Sequence, residues 1–140
     1  MTRNLHFVVL AGSLFATALT APALADEPER VVQEWYRRLS ESDIAGLAGL
    51  IAPNAVFHTE ASGKSQSREE FIAYMDQSQD VLANAEIRHK LREKDETTIT
   101  MIVCYDFQPG LTLNRETYSI ADGKIVNARQ KRLAEDCDGF

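Results

Sequence analysis

Apolar residues follow two different rhythms along this chain. Within 28–40 they recur every three or four residues, at Val31, Val32, Trp35, Tyr36 and Leu39, which predicts a helix with one buried stripe and Pro28 in its first turn. After polar Ser40-Glu41-Ser42, Asp43 can cap a shorter helix with Ile44, Leu47, Leu50 and Ile51 inward; Gly46 and Gly49 weaken it and Pro53 stops it. A strand over 55–60 and a polar loop, 61–66, come next. Ser67 with Glu70 then makes a capping box for a third helix, whose stripe includes Phe71, Ile72, Met75 and Leu82.

From residue 86 the rhythm becomes alternation, the mark of strands with one buried face. Ile87, His89 and Leu91 share one face of 86–92, opposite Arg88, Lys90 and Arg92. In 97–107 the apolar face is Ile99, Met101, Val103, Tyr105 and Phe107. Strands over 111–120 and 124–133 flank the hairpin signal Asp122-Gly123. Polar 93–96 and Gln108-Pro109-Gly110 are turns, and the acidic tail, 134–140, is irregular. The pattern is α+β: three N-terminal helices packed on a strongly curved, mostly antiparallel sheet, forming a conical cavity suited to a small molecule.

The first 25 residues stand apart. Arg3 is their one charged side chain, an apolar run follows it, and the stretch ends Ala23-Leu24-Ala25, small residues where a signal peptidase cuts. The run is too short, and too soon broken by Pro22, for a good membrane span. The expectation is a signal peptide over 1–25, cleavage after Ala25, and a periplasmic or secreted domain over 26–140 with no stable membrane insertion. Without Arg3 there remain 14 basic against 21 acidic residues, a net charge of −7. So acidic a chain is a poor partner for nucleic acid, which rewards clustered positive charge; the one basic run, Arg129 to Arg132, alternates between two faces of a strand.

Cys104 and Cys137 both lie in the mature chain, and an oxidising compartment permits a bridge. Closing that loop contributes ~4 kcal/mol by the chain-entropy argument, less any strain; the alternative is two free thiols. No nucleophile elbow, phosphate loop or paired-cysteine motif occurs. After cleavage only His58 and His89 remain, without a metal-ligand spacing, so neither a metal nor a cofactor is expected.

Four segments, VVQEWYRRL, ESDIAGLAGLIAPNAVFHTE, SREEFIAYM and TYSIADGKIVNARQ, resemble in order and spacing the nuclear transport factor 2-like superfamily over about residues 29–133. That superfamily includes ketosteroid isomerases, SnoaL-like polyketide cyclases and many proteins that are not enzymes. The resemblance matches the isomerases' catalytic base to Thr59, facing the cavity. Phe57 then also points inward, and His58 lies with Val56 and Glu60 on the other face, leaving His58 a runner-up as a catalytic residue. It further matches a hydrogen-bonding tyrosine to Trp35 and a second carboxylic acid to Glu116. Threonine cannot shuttle a proton as a carboxylate does, and indole is no acid of similar strength, so ketosteroid isomerase chemistry is not expected.

The Glu116 assignment depends on the last hairpin. A three-residue loop, Ala121-Asp122-Gly123, pairs Tyr118 with Val126 and Glu116 with Ala128; a two-residue Asp122-Gly123 turn sets Glu116 opposite Arg129. The three-residue loop is favoured because it gathers Tyr118, Ile120, Val126 and Ala128 on one face. Among Trp35, Tyr74, Met101, Val103, Tyr105 and Tyr118, a carboxyl loses hydration, which favours its neutral form. It then either donates to a ligand carbonyl or is satisfied by Gln130 or a tyrosine hydroxyl. Tyr36, at helical spacing, reads as core with a wet hydroxyl.

Three functions remain: a protein binding a small hydrophobic or aromatic molecule, an isomerase-like or cyclase-like enzyme using Glu116 as acid with Tyr105 or Tyr118, and a homodimerisation module. An enzyme needs a base as well, and Asp106 shares the outward parity of Cys104, which favours binding. The outer face would carry Ile102, Cys104, Leu113, Arg115, Ile125 and Arg129, a mixed surface that the tail must partly cover if the cysteines pair. A monomer or a modest homodimer is expected.

Overall fold

Asp26 caps the first helix, its carboxylate accepting from the Glu29 amide at 3.2 Å. The computed structural model describes residues 26–140, and the predicted signal peptide lies outside the described residues. Helix α1 (Glu27–Ser40) buries the expected stripe: Val32, Trp35, Tyr36 and Leu39 are each at most 3% exposed. Full burial of a side chain such as Leu39 is worth about 2 kcal/mol, so this stripe anchors the helix to the sheet. Helix α2 (Ile44–Gly49) starts at Asp43, whose carboxylate accepts from the Gly46 amide and pairs with Arg38 at 2.8 Å. Gly46 does more than weaken α2. A Cβ there would come within 2.0 Å of the Asp43 carboxylate and 1.9 Å of the Arg38 guanidinium.

Strand β1 runs Ile51–Thr59, starting earlier than 55: Ile51 pairs with Ile125, and Pro53 lies in the irregularity before pairing resumes at Val56. The polar loop expected at 61–66 partly folds into β2 (Lys64–Ser67), an edge strand held by backbone pairing to β1. The capping box forms as read, Ser67 and Glu70 exchanging bonds of 3.2 and 2.8 Å. The third helix is two: α3 (Arg68–Gln77) and α4 (Gln79–Ala83), divided at Ser78, whose hydroxyl donates back to the Tyr74 carbonyl at 2.9 Å. No helix among the described residues is long and apolar enough to cross a membrane.

Strands β3 (Glu86–Lys94), β4 (Thr98–Asp106), β5 (Leu111–Ala121) and β6 (Lys124–Ala134) complete one open sheet in the order β2-β1-β6-β5-β4-β3, antiparallel except where β1 runs beside β6. Four helices pack on its curved inner face, an α+β fold.

The last hairpin differs from both readings. Its turn is the two-residue Asp122-Gly123, φ 51° and 69°, between paired Ala121 and Lys124. A bulge at Val126 then shifts the register, setting Tyr118 opposite Ala128 and Glu116 opposite Gln130. The same bulge turns Ile125, expected on the outer face, fully into the core, while Val126 only packs against it.

Cys104 and Cys137 are joined by a disulfide. The tail therefore folds back over the outer face, where the Phe140 ring lies 5.0 Å from the Arg88 guanidinium and 4.9 Å from the Lys90 ammonium.

Candidate functional site

Between the helices and the curved sheet lies a cavity of about 630 Å³. Its apolar wall is an aromatic box. Phe57 and Phe71 stack with centroids 3.8 Å apart and planes 6° apart, and Trp35 packs on both at 6.1 and 5.8 Å. Helices α3 and α4 supply one lip, where Tyr74 and Val81 are 55% and 53% exposed.

The floor is Glu116, only 4% exposed, with four donors on its two oxygens. Tyr105 and Gln130 reach Oε1, each at 2.8 Å; Tyr36 and Tyr118 reach Oε2 at 2.7 and 2.6 Å. An ionised carboxylate has about four acceptor positions, and here all four are used within the protein. The bonds stand in for a counter-ion, since charge-assisted bonds are about twice as strong as neutral ones. Burial, and then the negative charge of Glu116, hold the hydroxyls of Tyr36, Tyr105 and Tyr118 well above the ordinary tyrosine range. All three stay protonated donors at neutral pH. Both oxygens of Glu116 are thus engaged within the protein, by the tyrosine hydroxyls and Gln130 that the sequence offered as its partners.

The register explains the convergence. Gln130 faces Glu116 because of the Val126 bulge, Tyr118 lies two residues along the same strand face, and Tyr105 reaches across from β4. Tyr36 comes from α1, beside the Trp35 position that the resemblance singled out. Its hydroxyl is buried on Glu116 rather than wet. On its far side Tyr36 stacks on His89, centroids 4.3 Å apart. Desolvation depresses the His89 imidazole below its usual value, and the Glu116 charge opposes this.

Trp35, Phe57, Thr59, Tyr74, Tyr105, Glu116, Tyr118 and Gln130 all border the cavity. Met101 and Val103, expected beside them, do not: both are buried core behind the wall. His58 lies at the rim, its Nδ1 2.7 Å from the Ser65 hydroxyl on the neighbouring strand. Phe71, Asn114 and Arg132 line the cavity without having been singled out. Alternation carried the signal for the last two, since Asn114 shares parity with Glu116, and Arg132 with Gln130. Among the described residues, no group of three histidines, cysteines or acids is placed to hold a metal ion.

No family model and no curated protein matches the chain. Solved structures do. A protein of unknown function with a cystatin-like fold from Methylobium petroleophilum superposes with a TM-score of 0.68 at 18% identity, covering 85% of this chain and 84% of that one. An NTF-2 like protein of unknown function from Burkholderia xenovorans gives 0.65 at 13% identity, covering 81% and 87%. This is the nuclear transport factor 2-like fold. An LEH-like epoxide hydrolase from M. tuberculosis shares it, with a TM-score of 0.61 at 12% identity over 76% of this chain and 83% of that one. Identities this low establish the nuclear transport factor 2-like fold and leave function to the site.

Proposed function

We propose that this is an exported binding protein whose cavity takes a small, largely apolar or aromatic molecule and releases it unchanged. The observation that carries the reading is the saturation of Glu116. Among the described residues it is the only acid lining the cavity, and Tyr36, Tyr105, Tyr118 and Gln130 occupy its oxygens. A carboxyl group whose oxygens are all engaged within the protein is poorly placed to exchange a proton with a substrate. Thr59, where the resemblance puts a base, cannot replace it. The aromatic box offers the apolar area that binding needs.

The Cys104–Cys137 bridge suits an oxidising compartment, which supports export after cleavage following Ala25. Coverage of the outer face by the tail supports a monomer or a modest homodimer. Native mass spectrometry of protein purified from its own compartment tests the binding reading: a retained small molecule, released unaltered on denaturation, is the expected result.

One observation favours an isomerase-like or cyclase-like enzyme instead. The hydroxyls of Thr59 and Thr112 belong to residues lining the cavity and are not spent on Glu116, and O–H donors there would stabilise charge developing on a substrate oxygen. The related epoxide hydrolase is an enzyme on the same fold. Under that reading Glu116→Gln abolishes turnover of an enone or polyketide while the fold persists. Absence of any such turnover in the parent protein removes it.

A further inference from the structure

Cross-strand registers lay the inner face of the sheet out in rows. One row reads Gln66, Phe57, Ala128, Tyr118 and Ile99, mostly apolar and deep. The next reads Lys64, Thr59, Gln130, Glu116 and Met101, and the one beyond it Arg132, Asn114, Val103 and His89. Polarity thus rises in a single direction, and at the β2 and β6 side both polar rows end in a cation.

Three features of that side are unexplained by the fold. Asn114 is only 5% exposed and lines the cavity, yet its side-chain amide makes no hydrogen bond to any described residue. Its polar atoms are not sealed from the cavity, so the amide is free to donate to a ligand there. Lys64 lines the cavity without an ion pair among the described residues. Arg132 has only Glu135, 3.8 Å away with both side chains more than half exposed, a contact of little strength. Lys64, Arg129 and Arg132 outnumber the one lining acid, Glu116, so the cavity presents net positive charge on a chain whose described residues are strongly acidic.

Building on the proposed binding function, we infer that the occupant is an amphipathic anion. Its apolar body lies in the box of Trp35, Phe57 and Phe71, and a terminal carboxylate-like group is held by Arg132 and Lys64 with the Asn114 amide donating to it. A ligand without an anionic group would leave the two cations without a partner, and a cationic one would be repelled.

Two fluorescent probes of nearly equal shape, anilinonaphthalene sulfonate and uncharged phenylnaphthylamine, separate body from head group. The full chain is expected to bind the sulfonate at least about tenfold more tightly. In Arg132→Gln/Lys64→Gln, two exposed positions where folding is not at stake, the preference should fall to below about threefold with phenylnaphthylamine affinity unchanged. Asn114→Leu should shift it the same way, and decanoate should displace the sulfonate where decanol does not. Equal binding of the two probes, or a preference that survives in the double variant, overturns the anionic head group while leaving the cavity a binding site. Failure of both probes to bind overturns the binding function as well.

Discussion

The hydroxyl of Tyr36 lies 2.7 Å from Glu116 Oε2, a buried bond between the first helix and the middle of β5 that spans 80 residues of sequence. Through it the helix stripe and the sheet are locked in one relative position. Tyr36→Phe keeps the ring, and with it the stacking on His89, but removes one charge-assisted bond. It should lower stability by about 2 kcal/mol, read as a fall in the urea midpoint at constant slope. A change of only a few tenths would mean that the hydroxyl and the carboxylate do not meet.

The tail is tied down by one covalent link. Cys104 and Cys137 are 33 residues apart, and closing such a loop stabilises by ~4 kcal/mol in the chain-entropy account. Unreduced protein should therefore show no titratable thiol, and reduced protein two. Reduction should lower the unfolding free energy by roughly 3–4 kcal/mol and free Phe140 from Arg88 and Lys90. Two thiols in unreduced protein would falsify the bridge.

These features differ in how far the sequence announces them. The stripe of α1 and the Ser67–Glu70 capping box were legible because each is a local pattern with a local cause. Strand β2 was not: Lys64 to Ser67 are all polar, and backbone pairing at a sheet edge asks nothing of the side chains. The division at Ser78 escaped notice because serine, unlike proline, permits a helix and here merely competes for the Tyr74 carbonyl. Parity brought Glu116, Tyr118 and Tyr105 inward correctly. The bulge at Val126 leaves alternation almost intact on either side, so the pairing of Glu116 with Gln130 and the inward turn of Ile125 could not be read. The aim of the Tyr36 hydroxyl depends on that same distant register.

His89 makes the network sensitive to pH. Its imidazole titrates below the usual 6.5 because burial against Tyr36 disfavours the charged form. The unfolded chain thus binds more protons than the native one between the depressed native value and 6.5, and stability rises with pH across that window. Stated in the other direction, the contribution is complete above 6.5 and is lost as pH falls through the native value. Because the rest of His89 is exposed to solvent the effect should be small. An imidazole titration followed by NMR should give a midpoint below that of a denatured control, and His89→Gln should flatten the dependence of stability on pH. A native midpoint at or above the control would contradict the packing described.

Trp35 offers a direct view of the aromatic wall, because it is the only tryptophan in the chain and packs on both Phe57 and Phe71. Phe71 is only partly buried, so Phe71→Ala should cost less than the ~3–5 kcal/mol of a fully enclosed phenylalanine, on the order of 2 kcal/mol. Its larger effect should fall on binding: the Phe57–Phe71 stack is a flat apolar surface in the cavity, and losing half of it removes contact area from any aromatic body seated there. Phenylnaphthylamine should quench Trp35 emission in the parent protein, and its affinity should fall by about tenfold in Phe71→Ala. Gln66→Ala is the control, since Gln66 lines the same cavity opposite Phe57 and contributes no ring. Equal weakening by the two substitutions would show that the probe responds to general loosening of the cavity, and the aromatic box would lose its place as the seat of the ligand.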